Sequence, residues 1–153
     1  MKLHKALKLK NSLVGEIAKL KKQIEDKNSY LLGGSKTITF RVASQYEELL
    51  KLTQNLINLK IVINEANREI QSKIYLISEY KSLIAFWNGV NVTEGAITTG
   101  YAETIKDYGV QVDETQRNNI VAEFQNKVDA IQEELDLHNY NTEVQWGNED
   151  VVE

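Results

Sequence analysis

Leu49-Leu50-Lys51-Leu52-Thr53-Gln54-Asn55-Leu56-Ile57-Asn58-Leu59-Lys60-Ile61-Val62-Ile63-Asn64-Glu65-Ala66-Asn67-Arg68-Glu69-Ile70 decides the fold. Leu49, Leu52, Leu56, Leu59, Ile63, Ala66 and Ile70 alternate in steps of three and four. That is the apolar seam of a heptad helix, and it predicts packing against other helices. The pattern reaches back to Ser44 and continues through Ile77, Tyr80, Ile84 and Trp87. Unbroken, such a helix would be about 65 Å long at 1.5 Å per residue. Asn64 and Asn67 weaken it, because asparagine competes for local hydrogen bonds. One long helix and two helices joined near 67–72 both fit, with a turn or kink the favoured reading. Ser44-Gln45-Tyr46-Glu47 has the form of a capping box and predicts the start of this helix at Ser44.

Working outward, Leu3, Ala6, Lys10, Leu13, Ile17, Leu20 and Ile24 repeat the same spacing and predict a helix over about 2–27. Val121, Phe124, Val128, Ile131, Leu135 and His138 do so again, after an N-cap signature at Asp113-Glu114-Thr115-Gln116. The expected helices are thus about 2–27, 44–67, 70–88 and 113–138. Irregular or short-strand segments are expected at 35–43, 89–112 and 140–147, all within one domain over 1–153. Gly33-Gly34-Ser35 marks a loop, and Gly89 suits a left-handed residue just past a helix end. Ile38, Phe40 and Val42 alternate like a strand. With 104–110 and 142–146 (Val144 and Trp146), that segment could pair into one small sheet. A further short strand is considered around 90–92. The fold class is mostly α: an antiparallel bundle or coiled coil of three to four long amphipathic helices with a small β element.

Composition agrees. The 153 residues include no proline, which suits long helices, and no cysteine, which excludes disulfides, thiolate nucleophiles and cysteine-based metal sites. No run approaches the length of a membrane span and no secretory leader is evident, so a cytoplasmic location is expected. The net charge of −4 is unevenly spread. Residues 1–27 hold eight lysines against three acids, and 103–153 hold three basic residues against thirteen acids. Ends of opposite charge favour contact within or between chains.

Several local motifs match a family of small bacterial helical proteins identified as septicolysin-like. They are Met1-Lys2-Leu3 with Ala6-Leu7, Ile63-Asn64 with Asn67, Val112-Asp113, Ile131-Gln132 with Leu135-Asp136, and Asn139-Tyr140-Asn141-Thr142-Glu143-Val144. The chain resembles that family over nearly its whole length. It departs from it in a shorter link after Asn67, in a glycine-rich 88–101 insert, and in Tyr140 where tryptophan is expected. The resemblance implies a helical fold, and the family name suggests membrane lysis. Most members have no known function, and no functional residue carries over.

Chemistry is sparse. Glu134 and His138 lie one helical turn apart, but a di-metal bundle needs that pattern twice. Adjacent acid pairs such as Glu133-Glu134 point apart on a helix, so they are surface charges. No phosphate loop, nucleophile elbow or dinucleotide motif occurs. The lysine-rich first helix could meet phosphate or lipid, yet its basic residues include no arginine and the chain is acidic overall. Nucleic acid is not an expected partner, and a membrane contact ranks behind a protein one. Tyr75, Tyr80, Phe86 and Trp87 crowd one helix end, as an interface or a core cap. The reading is a non-enzymatic structural protein, without cofactor or metal, that partners itself as a homo-oligomer, ring, filament or tube. The interface candidates are Leu49, Leu52, Leu56, Leu59, Ile63, Ile38, Phe40, Val42, Trp87, Val144 and Trp146. A membrane-active cytolysin and a partner-binding adaptor are the alternatives.

Overall fold

The computed structural model describes residues 1–34, 37–100 and 104–146. The chain is mostly helical: α1 (Leu3–Lys27), α2 (Val42–Ala66), α3 (Gln71–Gly89) and α4 (Glu114–Asn141), with a short 3-10 turn at Arg68–Ile70. A two-stranded antiparallel sheet, β1 (Gly95–Thr99) and β2 (Thr104–Tyr108), lies between α3 and α4 in sequence. Packing divides the chain into two compact units. Met1–Glu69 and the segment from His138 form the first, and Ile70–Leu137 forms the second. Residues 147–153, which hold three of the acids counted over 103–153, and Ser35 of the expected loop lie outside the described residues.

In the first unit the seam of α2 packs on α1. Leu3, Ala6 and Leu13 of α1 are buried with Leu59, Ile63 and Val144, and Leu52, Leu56, Ala66 and Trp146 pack around them. The start of α1 meets the end of α2, so the two run antiparallel. The chain ends of this unit pair as well. The Met1 ammonium donates to the Val144 carbonyl at 2.9 Å, and the Val144 amide donates to Met1 at 2.7 Å. Lys2 and Glu143 form an antiparallel bridge and an ion pair at 3.1 Å. The Lys2 hydrogen bond, the Lys2 charge and the N-terminal charge hold the Glu143 carboxyl below its usual value of 4.5. A carboxyl with a lowered folded-state value stabilises above its unfolded value, and the effect is lost as pH falls through the folded one. Wild type should therefore be the more stable of the pair with Glu143→Gln above pH 4.5. The two should converge in acid, which urea midpoints across the pH range will show.

His138, in the last turn of α4, closes the end of α2. Its Nε2–H donates to the Ala66 carbonyl at 3.0 Å, an acceptor that the ended helix leaves free. Nδ1 meets the Thr142 hydroxyl at 3.3 Å. Both ring nitrogens are thus engaged by protein groups, and the Glu134 carboxylate pairs with Lys73. The break after α2 falls where Asn67 weakens the pattern, and the Asn67 amide bonds back to Ile63 at 3.0 Å.

The second unit buries Ile77 of α3 with Val128 and Leu135 of α4, flanked by Ile70, Ile74, Tyr80, Ile84 and Ile131. Tyr80 and Phe124 meet with centroids 5.4 Å apart, and the Lys127 ammonium lies 5.7 and 5.2 Å from their ring centres. The start of α4 is a capping box, as its sequence predicts. The Gln116 amide donates to Asp113 Oδ1 at 2.8 Å, and the Asp113 amide donates to Gln116 Oε1 at 3.0 Å. Asp113→Ala is expected to cost about 1 kcal/mol. Faster hydrogen exchange confined to the first turn of α4 is the accompanying sign.

Five expectations are corrected. Residues 37–41 are irregular backbone and not a strand, and Val42 already belongs to α2. The alternation of Ile38 and Phe40 finds no strand beside it, and an unpaired strand leaves its backbone groups unsatisfied. Phe40 instead lies under the Lys27 ammonium, 4.6 Å from its ring centre. Because α2 starts at Val42, Ser44 sits inside the first turn, and its hydroxyl donates to the Arg41 carbonyl at 3.1 Å. A serine bonded back in this way is not an N-cap. The sheet does not join 37–42, 104–110 and 142–146. Thr104–Tyr108 pairs with Gly95–Thr99, the 90–92 segment is not a strand, and Glu143 bridges Lys2. Gly89 is the last residue of α3, without a positive φ, and the chain leaves through extended Val90, whose amide bonds Trp87 at 3.2 Å.

Candidate self-association surface

The α2 helix carries two apolar faces. The inner one, Leu52, Leu56, Leu59 and Ile63, is used within the first unit on α1. Leu59, Ile63 and Val144 are therefore core residues and not free interface, and Leu52, Leu56 and Trp146 lie half-buried against them. Leu49 is half-buried, as is Val42 in the first turn, while Ile38 is exposed in the irregular segment before α2.

The outer face is a second row. Tyr46, Leu50, Ile57 and Ile61 are 53, 51, 45 and 53 % exposed. Their separations are four, seven and four residues. At 3.6 residues per turn these positions fall within a narrow stripe along one side of the helix. Large apolar residues scattered singly over a surface need no explanation, but a continuous stripe does. Gln54 and Thr53 lie beside its middle, and the charged Glu47, Lys60 and Glu65 flank its ends. The inner seam conceals this row in the sequence, because the residues of the two rows interleave along the same stretch. The signal that separates them is the second set of spacings starting from Tyr46.

In the second unit, Trp87 is half-buried and Phe86 exposed, with ring centroids 5.4 Å apart and planes at 67°. They line an open cleft of about 380 Å³ with Val90, Tyr108, Val110 and Val112. Of the four clustered aromatics, Tyr80 belongs to the core of this unit and Tyr75 is exposed. The β1–β2 hairpin is open on its surfaces, and Ile105 is one of its exposed residues. Two-stranded hairpins alone are marginal in water.

No family model, curated protein or solved structure matches this chain. Among the described residues, no group of three or more metal-ligating side chains comes together, and no helix is long and apolar enough to cross a membrane.

Proposed function

We propose that this chain is a non-enzymatic structural protein that self-associates into a homo-oligomer or a larger assembly. The observation that carries the reading is the outer row of α2. Its separations of four, seven and four residues read the same from either end, which suits a two-fold contact between identical surfaces. In that contact the helices run antiparallel. Tyr46 meets Ile61 of the second copy, Leu50 meets Ile57, and Gln54 lies near its own equivalent. The helices of two chains then extend into an antiparallel bundle, with α2 covered on both faces. The exposed hairpin offers a second route, since open strand edges pair readily with other strands.

The likeness to septicolysin-like proteins belongs to this proposal and rests on the short motifs named above. It supplies a helical fold and no site. Light scattering behind size exclusion over a concentration series tests the reading. Masses that are multiples of 17.5 kDa and grow with concentration support it. A monomer at every concentration removes it.

A further inference from the structure

Among the described residues of the first unit, the most exposed apolar side chains lie in the connection between α1 and α2. Leu31 is 92 % exposed, Leu32 is 80 % exposed, and Tyr30 precedes them. Gly33, with φ of 85°, turns the chain immediately afterwards and presents the two leucines as a knob. Leucine side chains held this far into water gain nothing for their own unit. Each would gain about 2 kcal/mol on full burial elsewhere.

The second unit holds a matching hollow. Its cleft is walled by Phe86, Trp87, Val90, Tyr108, Val110 and Val112. It is an open surface cleft of about 380 Å³. Its lining is mainly apolar, with the polar Asn91, Thr93 and Gln111 among it, and takes aliphatic side chains on its aromatic and valine part. The charges around the two features are opposite. Residues 19–32 carry four lysines against two acids, whereas 90–100 and 104–114 together carry four acids against one lysine. Such complementarity steers association and fixes its orientation.

We infer that Leu31 and Leu32 of one copy seat in the Phe86–Trp87–Tyr108 cleft of a second copy. This rests on the self-association reading and names a second contact for it. Knob and hollow are different surfaces, so the contact is head-to-tail, and such contacts repeat into rings or filaments. Added to a two-fold contact through α2, it joins pairs into an extended assembly.

Trp87 is the reporter. In a Trp146→Phe background it is the single tryptophan of the chain. Its emission should shift to the blue as concentration and mass rise together. Leu31→Ser with Leu32→Ser should abolish the shift and weaken the larger assembly at least about 30-fold. It should leave the urea midpoint unchanged at dilutions where both proteins are single chains, because both leucines are exposed there. Val110→Asp, in the hollow, should have the same effect on mass. Mixing the knob-less chain with the hollow-less chain should restore the shift of Trp87 in the former. An assembly that persists in both variants, with the Trp87 shift intact, overturns this contact and leaves self-association standing. A wild-type chain that stays monomeric overturns both.

Discussion

Leu50→Asp together with Ile57→Asp is expected to separate the assembly into its smaller parts while leaving each chain folded. Both side chains are about half exposed, at 51 and 45 %, so a carboxylate there remains hydrated in the free chain. In the proposed two-fold contact the carboxylate introduced at position 50 of one copy faces the one introduced at position 57 of the other, so like charges meet inside the apolar stripe. Each chain brings two, so four charges would enter one apolar stripe. An interface residue at the centre of a contact commonly costs 2 kcal/mol or more when truncated, and an introduced charge costs more than a truncation. The dissociation constant should rise at least about 100-fold, with the larger species lost from size exclusion. Far-UV circular dichroism should barely move, and the urea midpoint should match that of wild type at dilutions where both are single chains.

Leu59→Ala is expected to do the reverse. Leu59 is fully buried, on the same helix and two residues from Ile57. It packs among Leu3, Ala6, Leu13, Ile63 and Val144. Removing its isopropyl group leaves a cavity that rigid neighbouring helices fill only in part, at a cost of about 3 kcal/mol. For a domain with ordinary stability of about 5–15 kcal/mol that is a large share. The urea midpoint should fall with an unchanged slope, and the transition should be resolved for the first unit. The contrast between the two variants is itself informative. Residues two apart on one helix point to different sides, so one disturbs the fold and the other the contact between folds.

The core was legible wherever a helix packs through one face. Leu3, Ala6, Leu13, Leu59, Ile63, Val128 and Leu135 all lie on spacings of three and four, and the structure buries them. Hydrophobic periodicity reports such burial directly, because the backbone repeat is local. The β structure was not legible in the same way. A strand needs a partner, and the partner is set by the fold. Ile38 and Phe40 alternate as well as Ile97 and Thr99 do, yet only the latter pair lies in a strand. The Lys2–Glu143 bridge joins residues 141 positions apart, beyond any local pattern. The α2 start shows a different limit. Ser44-Gln45-Tyr46-Glu47 has the residues of a cap, but Val42 and Ala43 are already helical, so the serine donates back to Arg41. At Asp113 the same kind of signature is a true cap, because the preceding residue is not helical.

The candidate surface was half visible. A heptad helix as apolar as α2 implies contacts on more than one side, and Leu50 and Ile57 stand in plain view between the seam residues. Their identity as a separate outer row needed the burial pattern, which assigns Leu59 and Ile63 to α1. Leu31 and Leu32 carry no periodicity at all. They stand exposed beside the turn at Gly33, which the Gly33-Gly34 pair announced without showing how its neighbours are placed.

The absence of cysteine makes the central claim directly measurable. A single Gln54→Cys variant places one thiol beside the middle of the outer row of α2. Treated with a short bifunctional maleimide at concentrations where the protein assembles, it should give a covalent dimer of twice 17.5 kDa. Glu25→Cys, on exposed α1, should give little. A strong dimer band for Gln54→Cys that disappears in the Leu50→Asp, Ile57→Asp background is the result predicted by a two-fold α2 contact. Equal cross-linking at both positions, or none at Gln54→Cys in an assembled sample, would contradict it.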